Sequence, residues 1–169
     1  MIHLIIGSTG AGKTTYALAL AAERGAVRFA VDDWMNTLFF PDSPNELTFE
    51  WAMERVTRCE AQIWKIALEV LHAGKEVVLE VSMSTKALRQ KQRGIAKQSG
   101  YEHQIYYIEL DRETRRERVL KRNQEKGKTF SFEVTEEMFD FVEGMFEPPD
   151  SDELRECVIV RMTDQRQTK

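Results

Sequence analysis

The chain has 169 residues, 42% of them hydrophobic and 31% charged, with a formal net charge of −4. That is about one domain's worth of chain with enough apolar material for a core, which excludes wholesale disorder. The longest unbroken apolar stretch, residues 16–22, is too short to cross a bilayer. Cys59 and Cys157 are too few for a disulfide framework or a zinc cluster, and the acidic balance excludes a nucleic-acid binder held by its overall field.

In chain order, the apolar run 2–6 ended by Gly7 reads as a buried strand. Residues 13–24, rich in Ala and Leu and followed by Gly25, read as a helix with a glycine C-cap. A second strand is predicted over 27–31, a helical turn or two over 33–40, and a loop over 41–45. A long helix follows over about 48–72, with Ala52, Val56, Cys59, Ile63, Ile66 and Val70 forming one apolar stripe. Residues 76–81 give a third strand, and Ser84 caps a helix running to about Ser99. Residues 104–110 give a fourth strand, Asp111 caps a very basic helix, and 157–161 give a fifth strand. Strands alternating with helices imply a parallel sheet covered on both faces. No basic segment precedes the first hydrophobic run, so no signal peptide is expected. The expectation is one soluble, cytoplasmic α/β domain over 1–169, a monomer or homodimer, with no membrane partner.

Charge is unevenly placed. Residues 86–97 hold five basic side chains (Lys86, Arg89, Lys91, Arg93 and Lys97) and no acid, whereas 129–154 hold nine acids and no Lys or Arg. Such asymmetry points to a local anion site.

Gly7-Ser8-Thr9-Gly10-Ala11-Gly12-Lys13-Thr14 fits the pattern G-x-x-x-x-G-K-[ST] at every position and lies between an apolar strand and a helix. Glycines let successive backbone amides face a phosphate-sized concavity, and the helix adds its positive end. The Lys13 ammonium suits β- and γ-phosphates and the Thr14 hydroxyl suits Mg²⁺. ATP and Mg²⁺ are therefore the expected cofactors, held by residues 7–15, Thr15 included. Asp32 and Asp33 follow the second strand. Asp32 is the candidate base for an acceptor hydroxyl, and Asp33 the candidate N-cap of the next helix. Glu80, a carboxylate near the end of an apolar strand, is a candidate metal ligand acting through water. Arg115, Arg118 and Arg122 recur at helical spacing on one face. With 126–129 after them they suggest a lid over about 111–132, with Arg118 and Arg122 ahead of Arg115 as clamps on phosphate charge. Trp34 is a candidate wall of the acceptor pocket, together with the 41–45 loop and the long helix; the histidines and the other tryptophans read as packing. Residues 163–169 read as a tail.

With these residues in hand, the chain resembles the small bacterial P-loop proteins described as kinases or AAA-domain ATP-binding proteins. That group is related to the 5′-hydroxyl kinase domain of polynucleotide kinase, chloramphenicol phosphotransferase, gluconate kinases and zeta toxins. The resemblance covers about residues 1–162. It implies a kinase-type P-loop fold with a five-stranded parallel sheet ordered 2-3-1-4-5 and an arginine-bearing lid. It also implies that Asp32 activates the acceptor hydroxyl. Polynucleotide kinase carries an arginine three residues beyond that aspartate, where this chain has Met35. The expected activity is transfer of the γ-phosphate of Mg-ATP to a hydroxyl of a small molecule or sugar, with Lys13, Asp32, Arg118 and Arg122 as catalytic residues. The alternatives are an ATPase or nucleotide switch, and a polynucleotide 5′-hydroxyl kinase using 86–97 as a backbone track.

Overall fold

The structure, a computed structural model, describes residues 1–127 and 133–162. In chain order its elements are β1 (Ile2–Ile6), α1 (Lys13–Arg24), β2 (Val27–Ala30), α2 (Val31–Leu38), a 3₁₀ turn (Phe40–Asp42), α3 (Phe49–His72), β3 (Val77–Glu80) and α4 (Lys86–Gln98). They continue with β4 (His103–Glu109), α5 (Arg112–Glu125), α6 (Glu136–Met145), α7 (Ser151–Arg155) and β5 (Cys157–Arg161). The five strands form one sheet in the order β2-β3-β1-β4-β5, and every pairing is parallel. The predicted order is the observed one.

All five residues of β1 are buried, as a central parallel strand requires. Alternate side chains feed opposite layers. Ile2, Leu4, Val77, Leu79 and Ile105 join Ile63, Ala67 and Leu71 of α3 and Ala96 of α4, while Ile5, Val78, Tyr106 and Ile108 join Ala17, Leu20 and Ala21 of α1. Truncating a fully buried member such as Ile63 to Ala costs about 2–5 kcal/mol.

Four local expectations shift. The stripe of α3 that is most buried is Cys59, Glu60, Ile63, Trp64, Ala67 and Leu71, turned from the predicted one toward polar contacts. Glu60 accepts from Ser82 N (2.6 Å) and Gln92 Nε2 (3.1 Å), and Trp64 Nε1 donates to Gln92 Oε1 (2.7 Å). The cap of α4 is Thr85, which accepts from Leu88 N; the Ser84 carbonyl accepts from Glu147 N instead. The helix expected over 33–40 starts at Val31, so Asp33 lies inside its first turn and caps nothing. Finally, α6 and α7 have no counterpart in the predicted elements. Thr135 caps α6, and Asp150 with Glu153 forms a capping box on α7. Asp111 caps α5 as expected, accepting from Thr114 N at 2.9 Å. The tail 163–169 and the segment 128–132 of the expected lid lie outside the described residues.

Candidate active site

Between β1 and α1 the backbone turns into the left-handed region at Gly10 (φ 80°) and Gly12 (φ 99°), where L side chains are strained. Gly12 is the residue from which α1 starts, so the loop and the positive end of the helix dipole serve one concavity. At Gly10 space is also decisive. A Cβ there would stand 2.5 Å from the Arg115 carbonyl oxygen and 2.9 Å from Val119 Cγ2, so α5 lies directly on the loop.

The loop opens into a cleft of about 950 Å³, near the top of the roughly 300–1,000 Å³ range of ligand sites. Gly7, Ser8, Thr9, Gly10, Gly12, Lys13, Thr14, Thr15, Asp32, Glu80, Arg118 and Arg122 all line it. Ala11 differs: its side chain is buried with Ile5 and Ala17 against the sheet.

Lys13 Nζ donates to the Ser8 carbonyl at 3.1 Å. Burial pushes its pKa below the usual lysine value despite the attraction of Asp32 and Glu80. The Thr14 hydroxyl donates to Glu80 Oε2 at 2.9 Å, and Arg28 Nε donates to Glu80 Oε1 at 2.6 Å. Arg28 Nη1 reaches on to Asp33 Oδ2 at 2.8 Å. Burial opposes the Arg28 charge, but Glu80 and Asp33 outweigh it and hold its pKa above the ordinary arginine value. Asp33 is thus tied to Glu80 through Arg28.

Asp32 has an exposed surface on the cleft. Protein nevertheless crowds it enough that desolvation, seconded by Asp33, lifts its pKa against Lys13, Arg122 and Arg28. Both carboxylates line the cleft, but Asp33 is paired with Arg28 whereas the Asp32 pKa is raised. A perturbed carboxylate in a cleft is a candidate for acid–base work.

The arginines of α5 also part company. Arg115 is buried and grips Glu143 of α6 with both terminal nitrogens (2.6 and 2.5 Å), also donating to the carbonyls of Leu110 (3.0 Å) and Thr9 (3.4 Å). Glu143 Oε2 accepts in turn from Ser8 Oγ at 2.8 Å. The Arg115 bonds, followed by burial's opposing effect and the Ser8 bond, leave the Glu143 pKa lowered. Arg115 is therefore a brace between loop and helix. Arg118 and Arg122 face the cleft, and Arg122 Nε is buried with no hydrogen-bond partner among the described residues. Burial lowers the Arg122 pKa against the pull of Asp32.

Several expectations about the acceptor side change. Trp34 packs on the core cluster that contains Val31 and Met35, and neither it, the 41–45 loop nor α3 contributes to the cleft wall. Met138 and Val142 of α6, with Phe146 just beyond it, line the cleft instead. Met35 is 3% exposed and packed in the core cluster, so in this chain that position presents no polar group to an acceptor phosphate. In the basic run 86–97, Lys86 pairs with Asp150, Arg89 with Glu153, Lys91 with Glu60 and Arg93 with Glu156. Those partners leave no row of uncommitted cations for a nucleic-acid backbone. Sequence patterning does not single out Arg28 or Glu143, although Arg28 carries the same signal as Glu80, a charge inside an apolar strand.

Among the described residues no helix is long and apolar enough to cross a membrane. Residues 2–149 match the model of a family described as "AAA domain". No curated protein matches the chain. Among solved structures, a candidate kinase from Chloroflexus aurantiacus aligns at 15% identity with a TM-score of 0.74, covering 99% of this chain and 91% of that one. Kti12 of Chaetomium thermophilum, solved with ADP-AlF₃, aligns at 15% identity and a TM-score of 0.68, covering 99% and 93%. A gluconokinase from Sinorhizobium meliloti aligns at 16% identity and 0.65, covering 96% and 82%. At such identities the likeness is one of fold.

Proposed function

The chain belongs to the AAA domain family of P-loop, kinase-like proteins, and from that premise we propose that it transfers the γ-phosphoryl group of ATP to a hydroxyl of a small-molecule acceptor. The observation that carries this reading is Asp32, a cleft-facing carboxylate of raised pKa set among Lys13, Arg122 and Asp33. Such a group orients the attacking oxygen and takes its proton, and the acceptor screen decides whether that oxygen belongs to an alcohol or to water.

The residues present fit the expected nucleotide and metal. The partnerless Arg122 Nε and the desolvated Lys13 ammonium suit a polyphosphate. The Thr14–Glu80 pair suits Mg²⁺ completed by phosphate oxygens and water; among the described residues no group of three or more His, Cys, Asp or Glu could hold a metal by itself. Bound Mg-ATP would supply the electrophilic phosphorus and part of the charge neutralisation. The chain's own part is to position and to stabilise charge. Lys13, Arg118 and Arg122 place positive charge where phosphoryl oxygens lie. Asp32 accepts the acceptor's hydroxyl proton and orients its oxygen, and Glu80 holds the Thr14 hydroxyl in place. Closure of Arg118 and Arg122 onto bound phosphates would exclude water.

A screen of hydroxyl compounds with γ-labelled ATP tests the reading. Label should move to an acceptor in the wild type and stay on ATP in a folded Lys13→Ala variant. Phosphate release that no compound diverts would overturn transfer in favour of hydrolysis.

A further inference from the structure

α6 buries one large side chain, Phe139, against Val119 and Val134. A second apolar stripe, Met138, Phe141, Val142 and Met145, recurs at i, i+3, i+4 and i+7 on the same helix. Met138, Phe141 and Met145 are 45%, 59% and 36% exposed, so the stripe is not covered by the described core. An exposed apolar stripe next to a cleft marks a binding surface. Its position is specific. α6 is pinned at the phosphate loop through Glu143 and Ser8, and beyond its end Glu147 N donates to the Ser84 carbonyl after β3. Phe141 meets Phe49 of α3 edge to face, with ring centroids 6.5 Å apart, and Phe146 packs on the cluster holding Val31 and Met35 of α2. Met138 and Val142 continue the stripe into the wall of the cleft that Asp32 also lines, with Phe146 beside them, whereas Phe141, Met145 and Phe49 lie outside that wall.

The charges of the cleft complete the argument. Arg28 is held by Glu80 and Asp33, Arg161 pairs with Glu109, and Lys13, Arg118 and Arg122 belong to the phosphate side. Apart from these, no cation lines the cleft among the described residues, and Asp32 and Asp33 would repel an anionic acceptor. Desolvating an unpaired anion against such a wall is costly.

We propose that Met138, Val142 and Phe146 form the acceptor subsite, and that it takes an uncharged alcohol with an apolar, ring-bearing face. This rests on the phosphotransferase reading above. In the reaction Asp32 takes the hydroxyl proton, the oxygen forms a bond to the γ-phosphorus, and the β–γ bridging bond breaks to release ADP.

The test uses three matched sets of compounds: aryl-substituted primary alcohols, the same skeletons bearing a carboxylate, and open-chain polyols. Binding is measured by calorimetry in the presence of a non-hydrolysable ATP analogue, and transfer is measured with labelled ATP. Aryl alcohols should bind at least tenfold more tightly than their carboxylate partners. Val142→Ser and Met138→Lys should each weaken that binding about tenfold, with melting curves confirming the fold. Met138→Lys should also narrow the gap to the carboxylates. Binding of aryl alcohols that depends on these positions, without transfer, would uphold the subsite and sink the kinase reading. Transfer to carboxylates or polyols in preference to aryl alcohols would do the reverse. Binding by none of the three sets, or binding indifferent to both substitutions, overturns the subsite.

Discussion

Thr14 and Glu80, 66 residues apart in the chain, share a hydrogen bond of 2.9 Å that ties the first hydroxyl of α1 to the last residue of β3. One Glu80 oxygen serves that hydroxyl and the other serves Arg28, so the carboxylate is oriented from both sides before any metal arrives. Glu80→Gln keeps an acceptor for Thr14 and removes the charge. The Mg²⁺ concentration needed for half-maximal nucleotide binding should rise about tenfold or more. A calorimetric titration of Mg²⁺ at fixed ATP checks this, and an unchanged requirement would remove Glu80 from the metal site.

Asp32→Asn should lower kcat by roughly two orders of magnitude, within the range of a lost general base, while ATP affinity stays within a few-fold. Because the folded protein raises the Asp32 pKa, ionising it costs stability above the ordinary aspartate value, and the Asn variant should melt higher at neutral pH. The sign extends to kinetics. Turnover needs the carboxylate, so it should fall as pH drops through a value above the ordinary aspartate range. Arg122→Met removes a charge that favours the Asp32 anion and should move that limb to still higher pH. Asp33→Asn breaks only a half-exposed ion pair with Arg28, worth about 0–1 kcal/mol. If it silences transfer and Asp32→Asn does not, the roles are reversed.

Much of this site can be read from the residues in order. The glycine-rich octapeptide announces a phosphate loop, and the apolar runs closed by Gly7, Gly25, Gly74 and Gly100 mark the strand–helix alternation. What escapes is whatever depends on side chains far apart. Nothing near Glu143 says that it will meet Ser8, 135 residues away. Arg115 carries the same signal as Arg118 and Arg122, and only the packing of α5 on Gly10 separates a brace from a clamp. α6 hides within an acid run whose charge masks the Phe139 anchor. The α4 cap fails by one position because Ser84 and Thr85 are equivalent in chemistry and differ only in which one the chain bends at.

Gly10→Ala should cost about 1–3 kcal/mol, from a left-handed backbone and from overlap with a carbonyl that cannot rotate away. It should also shift α5 and weaken ATP binding. Gly25→Ala is the control: it shares the left-handed φ, at 59°, but meets nothing within 4 Å. It should lose stability and keep its ATP affinity. Melting curves and nucleotide titrations on both variants separate strain from crowding.

Arg89 and Glu153, both buried, are joined by two bonds of 2.8 Å. Glu153→Gln strands a buried guanidinium and should cost about 3–5 kcal/mol at neutral pH. The bond from Arg89, against burial, lowers the Glu153 pKa. Its contribution is therefore present above the ordinary glutamate value and lost as pH falls below it. The stability gap between wild type and variant should shrink in acid, which urea melts across that range would reveal.

Glu143 holds both Ser8 and Arg115, so the shape of the nucleotide loop is completed by a residue near the far end of the chain. During synthesis the loop emerges first and waits through all of β2, β3 and β4 for its brace. A ribosome-bound chain truncated before α6 would carry the whole glycine-rich motif without its brace and should grip nucleotide poorly, so on the proposed function the newborn chain would hold ATP only once α6 has been made.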